Sequence, residues 1–531
     1  MQLSQLLRGI NIIDSAGKQH GDVGTICYDS GKCKKNSLFI AIKGLKTDGH
    51  LYIEQAIKNG ARFIVHERNY QPPNGITAIR VSDSRRVLGQ IGRNFFRDPS
   101  SSLCLIAVIG TNGKTTTSYI LEAILKAAGY PVGVIGTVNY RYRETVFPAP
   151  NTTPESIDLQ KILREMVDHG ITHCISEVSS HALDLHRVDE CSFDMGIFTN
   201  LSQDHLDYHV TMENYFQAKK RFFSELLPAG AKNKAGEAKF NLPKTKLPVH
   251  KSMANISRMI INGDDSWGQR LLGETTGKSI TYGLGSSCDV TATSFDLSLG
   301  GITATITFKN ERMDIISPLM GKFNLYNILA AVAATTALGI SRDAIRSGLA
   351  EITQVPGRLE KVSGPGQPYV FVDYAHTDDA LRRVLETLLT FKKGKIITVF
   401  GCGGNRDRGK RPLMGETAAR YSDLTIVTSD NPRMEEPLEI IAEIEKGIHL
   451  PKWRPDKLDL KNLDKKIYSV IPDRAEAISQ GILAARSEDI VLIAGKGHED
   501  YQIIGEQKFP FDDRIVAGMA LQKHRVTGET T

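Results

Sequence analysis

Apolar residues along this chain come in short uninterrupted runs, and between most of them lie longer stretches in which apolar positions recur every three or four residues. The first pattern suits strands buried on both faces and the second suits helices that cover them. Runs at Ser37 to Ile42 and Arg62 to His66 flank a helical pattern at Tyr52 to Lys58, which predicts a small α/β unit at the start of the chain. A polar stretch, Arg97 to Ser102, then marks a boundary. From Leu103 onward strand and helix signals alternate through Cys174 to Val178 and Asp194 to Thr199, as in a parallel sheet with covering helices. Cys288 to Phe308 alternates threonine with apolar residues and predicts antiparallel strands, and the alanine-rich run Tyr326 to Leu338 predicts a helix stopped by Gly339.

A further unit begins near Ser341. Its apolar runs at Tyr369 to Val372, Lys395 to Phe400, Asp423 to Thr428 and Ile490 to Ala494 each meet a Gly, Asp or His cluster at or just past the carboxyl end, the arrangement of a doubly wound sheet. The lysine-rich, aperiodic stretch Pro228 to Asn255 reads as an exposed insertion or long loop. The expected fold is three-domain α/β: residues 1–100, a central 101–340 with a parallel P-loop ATPase-like sheet, and a Rossmann-like 341–531.

Composition narrows the class. A chain of 531 residues exceeds one hydrophobic core. Its 66 basic and 60 acidic residues leave a net charge of only +6, and no aromatic–basic stripe points to nucleic acid. The seven cysteines are scattered with no CxxC pair, which predicts buried thiols in a reducing compartment. The N-terminus lacks the pattern of a signal peptide, and no apolar run is long enough to span a membrane. These features predict a cytoplasmic enzyme, expected to be a monomer.

The chemistry is concentrated at strand ends. Ile106 to Thr117 is an apolar run that breaks into Gly110-Thr111-Asn112-Gly113-Lys114-Thr115-Thr116. Glycines there let backbone N–H groups turn toward phosphate oxygens, Lys114 can reach the terminal phosphates, and the Thr115 hydroxyl is suited to Mg²⁺. A helix from Tyr119 to Ala128 would point its N-terminus at the same anion. Glu177, which follows an apolar run, is either a Mg²⁺ ligand beside that loop or a satisfied strand-end carboxylate. His205 and His209 have the i,i+4 spacing of zinc ligands but lack the glutamate of HExxH and a third ligand nearby; His205 beside Mg²⁺ is the better reading. By composition alone, Lys219-Lys220-Arg221 is a solvated helix face. In the last unit, arginines, carboxylates and glycines at strand ends suit a ligand with both carboxylate and ammonium groups, such as an amino acid, or else only solvate those ends.

Taken in order, the motifs resemble those of the Mur ligases, ATP-dependent amide-forming enzymes of peptidoglycan precursor synthesis. The likeness runs through Gly110 to Thr116, Asn151-Thr152-Thr153-Pro154, Glu177 to His181, Thr199 to His209, Gly321 to Asn327, Gly357-Arg358, Asp373 to His376 and Gly495 to Glu499. Asp430-Asn431-Pro432-Arg433 resembles the tetrapeptide of members that add meso-diaminopimelate to UDP-N-acetylmuramoyl-L-alanyl-D-glutamate. Diaminopimelate carries a distal carboxylate that an arginine can grip, and lysine has none.

The resemblance implies roles residue by residue. Lys114, Glu177, His205 and Lys219 would be catalytic. Thr115, Glu177, His205 and Lys219, the last as an N6-carboxylysine, would ligate Mg²⁺. ATP would meet Gly110, Thr111, Asn112, Gly113, Lys114, Thr115 and Thr116, with Asn324, Asn327, Arg358 and Asp373. Ser30, Asn151, Thr152, Thr153, Ser179 and Arg187 would hold the UDP-muramoyl dipeptide, although Gly31 stands where the family pattern has arginine. Arg406, Asp430, Asn431, Arg433, Gly495 and Glu499 would take diaminopimelate. The implied chemistry is an acyl phosphate on the D-glutamate carboxylate, then attack by the amine. Two alternatives stay open: the same ligation with L-lysine, and a P-loop ATPase acting on a protein partner.

Overall fold

Three sheets follow one another along the chain, and the middle one sets the geometry of the site. The computed structural model describes residues 1–44, 47–228, 258–309, 311–453 and 465–528, with side chains described as far as residue 524. The lysine-rich stretch expected to form an insertion after Pro228 lies outside the described residues.

The central sheet has 11 strands. At its middle lies Cys104–Ile109, paired in parallel with His173–Glu177 on one side and Met195–Phe198 on the other. Every second residue of this strand faces a different core: Ile106 and Val108 enter one hydrophobic cluster, Leu105, Ala107 and Ile109 the other. That two-sided burial explains the uninterrupted apolar run, and each fully buried aliphatic contributes roughly 1.5–3 kcal/mol. The strand's first connection leads to Val132–Ile135, beyond His173–Glu177, and the later one to Met195–Phe198 on the opposite side. The strand order therefore reverses at the carboxyl end of Cys104–Ile109, where ligands of open α/β sheets bind.

Helix Lys114–Ala127 leaves that point directly. It starts five residues before the expected Tyr119. The apolar period begins only at Ile120, while the first turn is polar Lys-Thr-Thr-Thr, started by Gly113 at φ 87°. A left-handed turn of that kind is open to glycine at little steric cost. A Cβ there would also lie 2.4 Å from Asn327 Oδ1.

Helix Arg342–Glu351 crosses Lys114–Ala127 so closely that a Cβ on Gly348 would lie 2.4 Å from Ile124 Cα. Ile345, Leu349, Ile352 and Val355 join the central core. That core therefore runs past Ser341, where the apolar pattern suggested a new unit. The expected antiparallel strands are Val290–Ser298 and Gly301–Phe308, joined at the sheet edge by Glu311–Ser317.

The third sheet runs Glu360–Lys361, Tyr369–Asp373, Ile490–Ala494, Ile396–Phe400, Leu424–Val427, Ile467–Val470, all parallel except the first strand. Its carboxyl ends carry the Asp373, Gly401, Asp430 and Gly495 clusters. A hairpin, Tyr501–Ile504 with Gln507–Pro510, follows and has no clear counterpart in the hydrophobic pattern, because its second strand is wholly exposed. The first sheet is five-stranded and is tied to the middle one by Tyr28 Oη to Asp158 (2.5 Å) and Arg85 to Glu155 (2.9 Å).

Candidate active site

The loop after Ile109 is braced before any ligand arrives. Asn200, just past the neighbouring strand, accepts from the Asn112 N–H (3.0 Å) and donates to the Asn112 carbonyl (3.1 Å). Thr199 Oγ1 donates to the same carbonyl (2.6 Å), and Thr111 Oγ1 accepts from the Ser202 N–H (3.1 Å). Lys114 folds back onto the carbonyls of Gly110 (3.0 Å) and Thr111 (2.9 Å).

Glu177 reaches this loop from the adjacent strand end. Its carboxylate, almost fully buried, accepts from Thr115 Oγ1 (3.0 Å), from Thr137 Oγ1 (2.7 Å) and from the Thr137 N–H (3.2 Å). Gly136 makes the approach possible, since a Cβ there would lie 2.3 Å from Glu177 Oε1. Thr137 was absent from the candidates. Its signal was present: Val134-Ile135-Gly136-Thr137 repeats Val108-Ile109-Gly110-Thr111, a second strand end built alike.

Lys219, read from composition as a solvated cation, is buried instead. Helix Met212–Arg221 turns it inward, where Nζ lies 4.6 Å over the Tyr215 ring and donates to the Gly110 carbonyl (2.9 Å). Burial, reinforced by Lys114, lowers its pKa well below the usual lysine value. Burial likewise lowers that of Lys114. His205 adopts a left-handed backbone (φ 54°) with its imidazole 3.3 Å from Asp204, and burial pushes its pKa down to about 4 against the pull of that carboxylate. His209 spends Nε2 on Ser180 Oγ (2.9 Å), and among the described residues no three His, Cys, Asp or Glu converge as a metal site.

The third sheet reaches across to the loop. Arg358 stacks on Tyr374 (4.6 Å) and donates to Thr115 Oγ1 (3.3 Å). Asp373 is buried and occupied by the N–H groups of Leu359 (2.6 Å) and Ala375 (2.7 Å), so it shapes the backbone beside Arg358. Asn327 donates to Asn324 Oδ1 (3.0 Å), and Asn324 donates to the Met320 carbonyl (2.8 Å). A cleft of about 520 Å³ joins these parts, lined by Thr115, Thr137, Thr152, Ser179, His205 and Arg358 among others.

The expected dipeptide residues form one braid beside it. Thr153 Oγ1 donates to the Glu177 carbonyl (2.9 Å) and accepts from the Ser179 N–H (3.1 Å). Arg187 donates to the Thr153 carbonyl (3.0 Å) and Thr152 meets the Thr137 hydroxyl (3.1 Å). The Asn151 carbonyl takes the Tyr140 hydroxyl. Ser30 stands apart, in a 3-10 turn of the first sheet, with its carbonyl held by Asn59 (2.9 Å).

The last cluster is separate from the cleft. Asn431 donates to Glu499 (2.8 Å) and accepts from the buried Lys496 ammonium (3.1 Å) and the Ile503 N–H (2.9 Å). Its amide therefore clamps two motifs together. Asp430 accepts from its neighbour's N–H (2.6 Å) and faces Arg474 at 3.9 Å, and a Cβ on Gly495 would lie 2.7 Å from Asp430 Oδ2. Arg433, at φ 53°, is held by the unforeseen hairpin through Ile503 and Gly505, and one side of its guanidinium donates to the Gly404 carbonyl (2.9 Å). Burial and then the nearby cation of Arg406 lower the Arg433 pKa.

A braced glycine–lysine loop, a buried carboxylate beside it and a cluster of Arg406, Asn431, Arg433 and Glu499 on a separate sheet are joined here in one chain. Family models match in the same order: "Mur ligase family, catalytic domain" over residues 22–96, "Mur ligase middle domain" over 108–233 and 239–335, and "Mur ligase, glutamate ligase domain" over 357–497. The chain belongs to the Mur ligase family. Among Mur ligases, it is 44% identical over 532 residues to the UDP-N-acetylmuramoyl-L-alanyl-D-glutamate--2,6-diaminopimelate ligase of Geobacter metallireducens, covering 100% of both chains. The enzyme of that name from Geobacter sulfurreducens is 44% identical over 97% of each chain. A solved structure with that enzyme's name superposes with a TM-score of 0.66 at 30% identity, over 99% of both chains. The MurF ligase of Thermotoga maritima, solved with ADP, shares the fold (TM-score 0.60, 19% identity, 96% of this chain and 98% of that one).

Proposed function

We infer that this Mur ligase joins meso-2,6-diaminopimelate to UDP-N-acetylmuramoyl-L-alanyl-D-glutamate at the expense of ATP, as its 44%-identical relatives are named to do. Its ATPase chemistry therefore serves amide synthesis rather than a protein motor. The observation that carries the amino-acid assignment is Arg433 beside Arg406 next to Gly403, two cations for carboxylates, with the Glu499 carboxylate held by Asn431 and Lys496 in the same cluster.

The residues divide the work by sheet. We assign the UDP end to Ser30 on the first sheet and the dipeptide to Asn151, Thr152, Thr153, Ser179 and Arg187 on the second. ATP phosphates belong to the loop Gly110–Thr116, with Asn324 and Asn327 on the adenine side and Arg358 and Asp373 closing from the third sheet. Diaminopimelate belongs to Arg406, Asp430, Asn431, Arg433, Gly495 and Glu499. Domains 1–100, 101–340 and 341–531 follow this division, with the helix Arg342–Glu351 packed on the middle one.

The hard-oxygen pair Thr115 Oγ1 and Glu177 Oε2, 3.0 Å apart and buried, fits Mg²⁺, with His205 and Lys219 close to the same loop. When bound, Mg²⁺ neutralises phosphate charge so that the D-glutamate carboxylate and the triphosphate can approach each other. Lys114 leaves the loop carbonyls to hold the γ-phosphoryl group as it passes to the D-glutamate carboxylate and ADP departs; the amine then attacks the acyl phosphate, and phosphate and a proton leave as the amide forms. Burial lowers the Lys219 pKa, which favours the neutral amine that CO₂ requires to give a carbamate and a proton. We place the enzyme in the cytoplasm as a monomer. All cysteines are unbridged, no described helix is long and apolar enough to cross a membrane, and one chain supplies every candidate residue.

The test is phosphate release from ATP with the UDP-muramoyl dipeptide, comparing meso-diaminopimelate with L-lysine and weighing the product. Amide product with diaminopimelate alone is expected. Equal turnover with lysine would overturn the amino-acid assignment.

A further inference from the structure

The sequence spaces Cys27 and Cys33 six residues apart, with no CxxC between them, yet the fold brings their sulfurs to 3.0 Å. Cys27 ends strand Thr25–Cys27 and Cys33 follows the 3-10 turn Ser30–Lys32. Between them the chain is tightly fixed. Asp29 caps the turn by accepting from the Gly31 N–H (2.9 Å), the Cys33 N–H donates to the Ser30 carbonyl (3.3 Å), and Asn59 holds that same carbonyl from the next helix. Cys27 Sγ also faces the Leu38 carbonyl (3.7 Å), and Cys33 Sγ the Asp29 carbonyl (3.8 Å). Among the described residues no third His, Asp or Glu completes a metal site with them, so the pair's chemistry is that of a dithiol.

We propose that Cys27 and Cys33 form a reversible disulfide that repositions the Ser30 turn and so tunes binding of the UDP-linked substrate. The bond itself needs no functional assumption, while its effect on substrate rests on the assignment of Ser30 to the UDP end. Both thiols are buried, while their chain neighbours Asp29, Gly31, Lys32, Lys34 and Lys35 are exposed. The cations there favour an anionic low-molecular-weight disulfide as oxidant.

The two sulfurs are unequal. Either sulfur can donate in the 3.0 Å contact; in the arrangement where Cys27 donates, that bond lowers the Cys33 pKa and makes Cys33 the first nucleophile. Its thiolate attacks one sulfur of the small disulfide and expels one thiolate. Cys27, losing its proton to solvent, then attacks Cys33 Sγ and expels the second. The enzyme loses two electrons and two protons, and the small disulfide leaves as two thiols. Because a disulfide holds its sulfurs at about 2.05 Å, the thiols must close by roughly 1 Å, and the turn between them moves.

The test treats the full-length protein with oxidised glutathione, maps disulfide-linked peptides, and measures calorimetric binding of the UDP-muramoyl dipeptide before and after. A Cys27–Cys33 peptide, a Kd changed by about threefold or more, and reversal by dithiothreitol are expected. The variant carrying Cys27→Ser and Cys33→Ser should show no response to oxidant. Failure of the wild-type protein to form that linkage in excess oxidant, or a linkage that leaves Kd unchanged, would overturn the proposal. A reduced protein that makes no amide product would instead count against the ligase assignment, with the peptide map still deciding the bond.

Discussion

Lys114 and Lys219 donate to one acceptor, the Gly110 carbonyl, at 3.0 and 2.9 Å. Two ammonium groups that close, in a buried site, repel strongly, and the weaker base loses its proton. Lys114 has the charges of Glu177 and Asp204 near it, whereas Lys219 has only that of Asp204 to set against burial and the Lys114 cation. Of the two, Lys219 is the weaker base, and the proposed carbamate would form on it. Protein equilibrated with ¹³C-bicarbonate should show a carbamate carbon resonance that Lys219→Ala lacks, and that variant should lose on the order of a hundredfold in kcat. A spectrum identical for both proteins would refute the assignment.

Thr137 spends both its N–H and its hydroxyl on Glu177, which fixes the carboxylate that would ligate Mg²⁺. Groups that orient a ligand typically matter about 10–100-fold in metal affinity. Thr137→Val should raise the half-saturating Mg²⁺ concentration by about tenfold while leaving the protein folded, and Thr137→Ser should restore most of it. An unchanged Mg²⁺ titration would mean that Glu177 needs no such support.

These two residues mark what the sequence could and could not disclose. The buried strands were legible because two-sided burial leaves uninterrupted apolar runs, and the phosphate loop because glycines and Lys-Thr-Thr have few other uses together. Lys219 was illegible from composition, since nothing in Lys-Lys-Arg says which cation the helix turns inward; the family resemblance supplied it. Thr137 lay unnoticed in a repeated Val-Ile-Gly-Thr. Cys27 and Cys33 were separated by a turn whose return path no periodicity encodes. The hairpin that holds Arg433 was missed because Gln507–Pro510 is exposed on both faces.

On the proposed assignment, Arg433 is the residue that would tell diaminopimelate from lysine. One edge of its guanidinium is already held by the Gly404 carbonyl, which leaves the rest for a carboxylate. A charge-assisted pair of this kind is worth about 1.5–3 kcal/mol, so Arg433→Ala should raise the KM for diaminopimelate by about 10–100-fold. Steady-state rates with L-lysine should change far less, because lysine has no distal carboxylate to lose. Equal losses for both amino acids would assign Arg433 a purely structural role.

Arg474 and Asp513 form a fully buried pair (2.7 Å) beneath the Asp430 loop. Arg474 also donates to the Ala494 carbonyl (3.0 Å), so the pair ties two helices to the strand end before Gly495. Removing one partner leaves a buried charge uncompensated, at a cost of about 3–5 kcal/mol. Asp513→Asn should therefore lower the thermal midpoint sharply, and the apolar double variant Arg474→Met with Asp513→Leu should recover much of that loss. A double variant no more stable than Asp513→Asn alone would show that the charges themselves are needed.

His173 opens the strand that ends in Glu177, and its pKa is pushed down to about 4 by burial alone. Its ring packs 4.4 Å from Tyr130, and Nδ1 meets the Thr172 hydroxyl at 2.9 Å. In the unfolded chain the imidazole titrates near 6.5, so between about 6.5 and 4 the unfolded state holds a proton that the folded state does not. The sign follows: stability is highest above 6.5, falls as pH drops through that window, and stops falling from this cause below about 4. The whole step is on the order of 3 kcal/mol. His205 and His498, at about 4 and 3, add slopes of the same sign, so the wild-type slope alone does not isolate His173. His173→Gln removes only its own proton. The difference between wild-type and variant midpoints in urea should therefore shrink as pH falls from 7 to 4.5, and a difference constant with pH would show that His173 is protonated equally in both states.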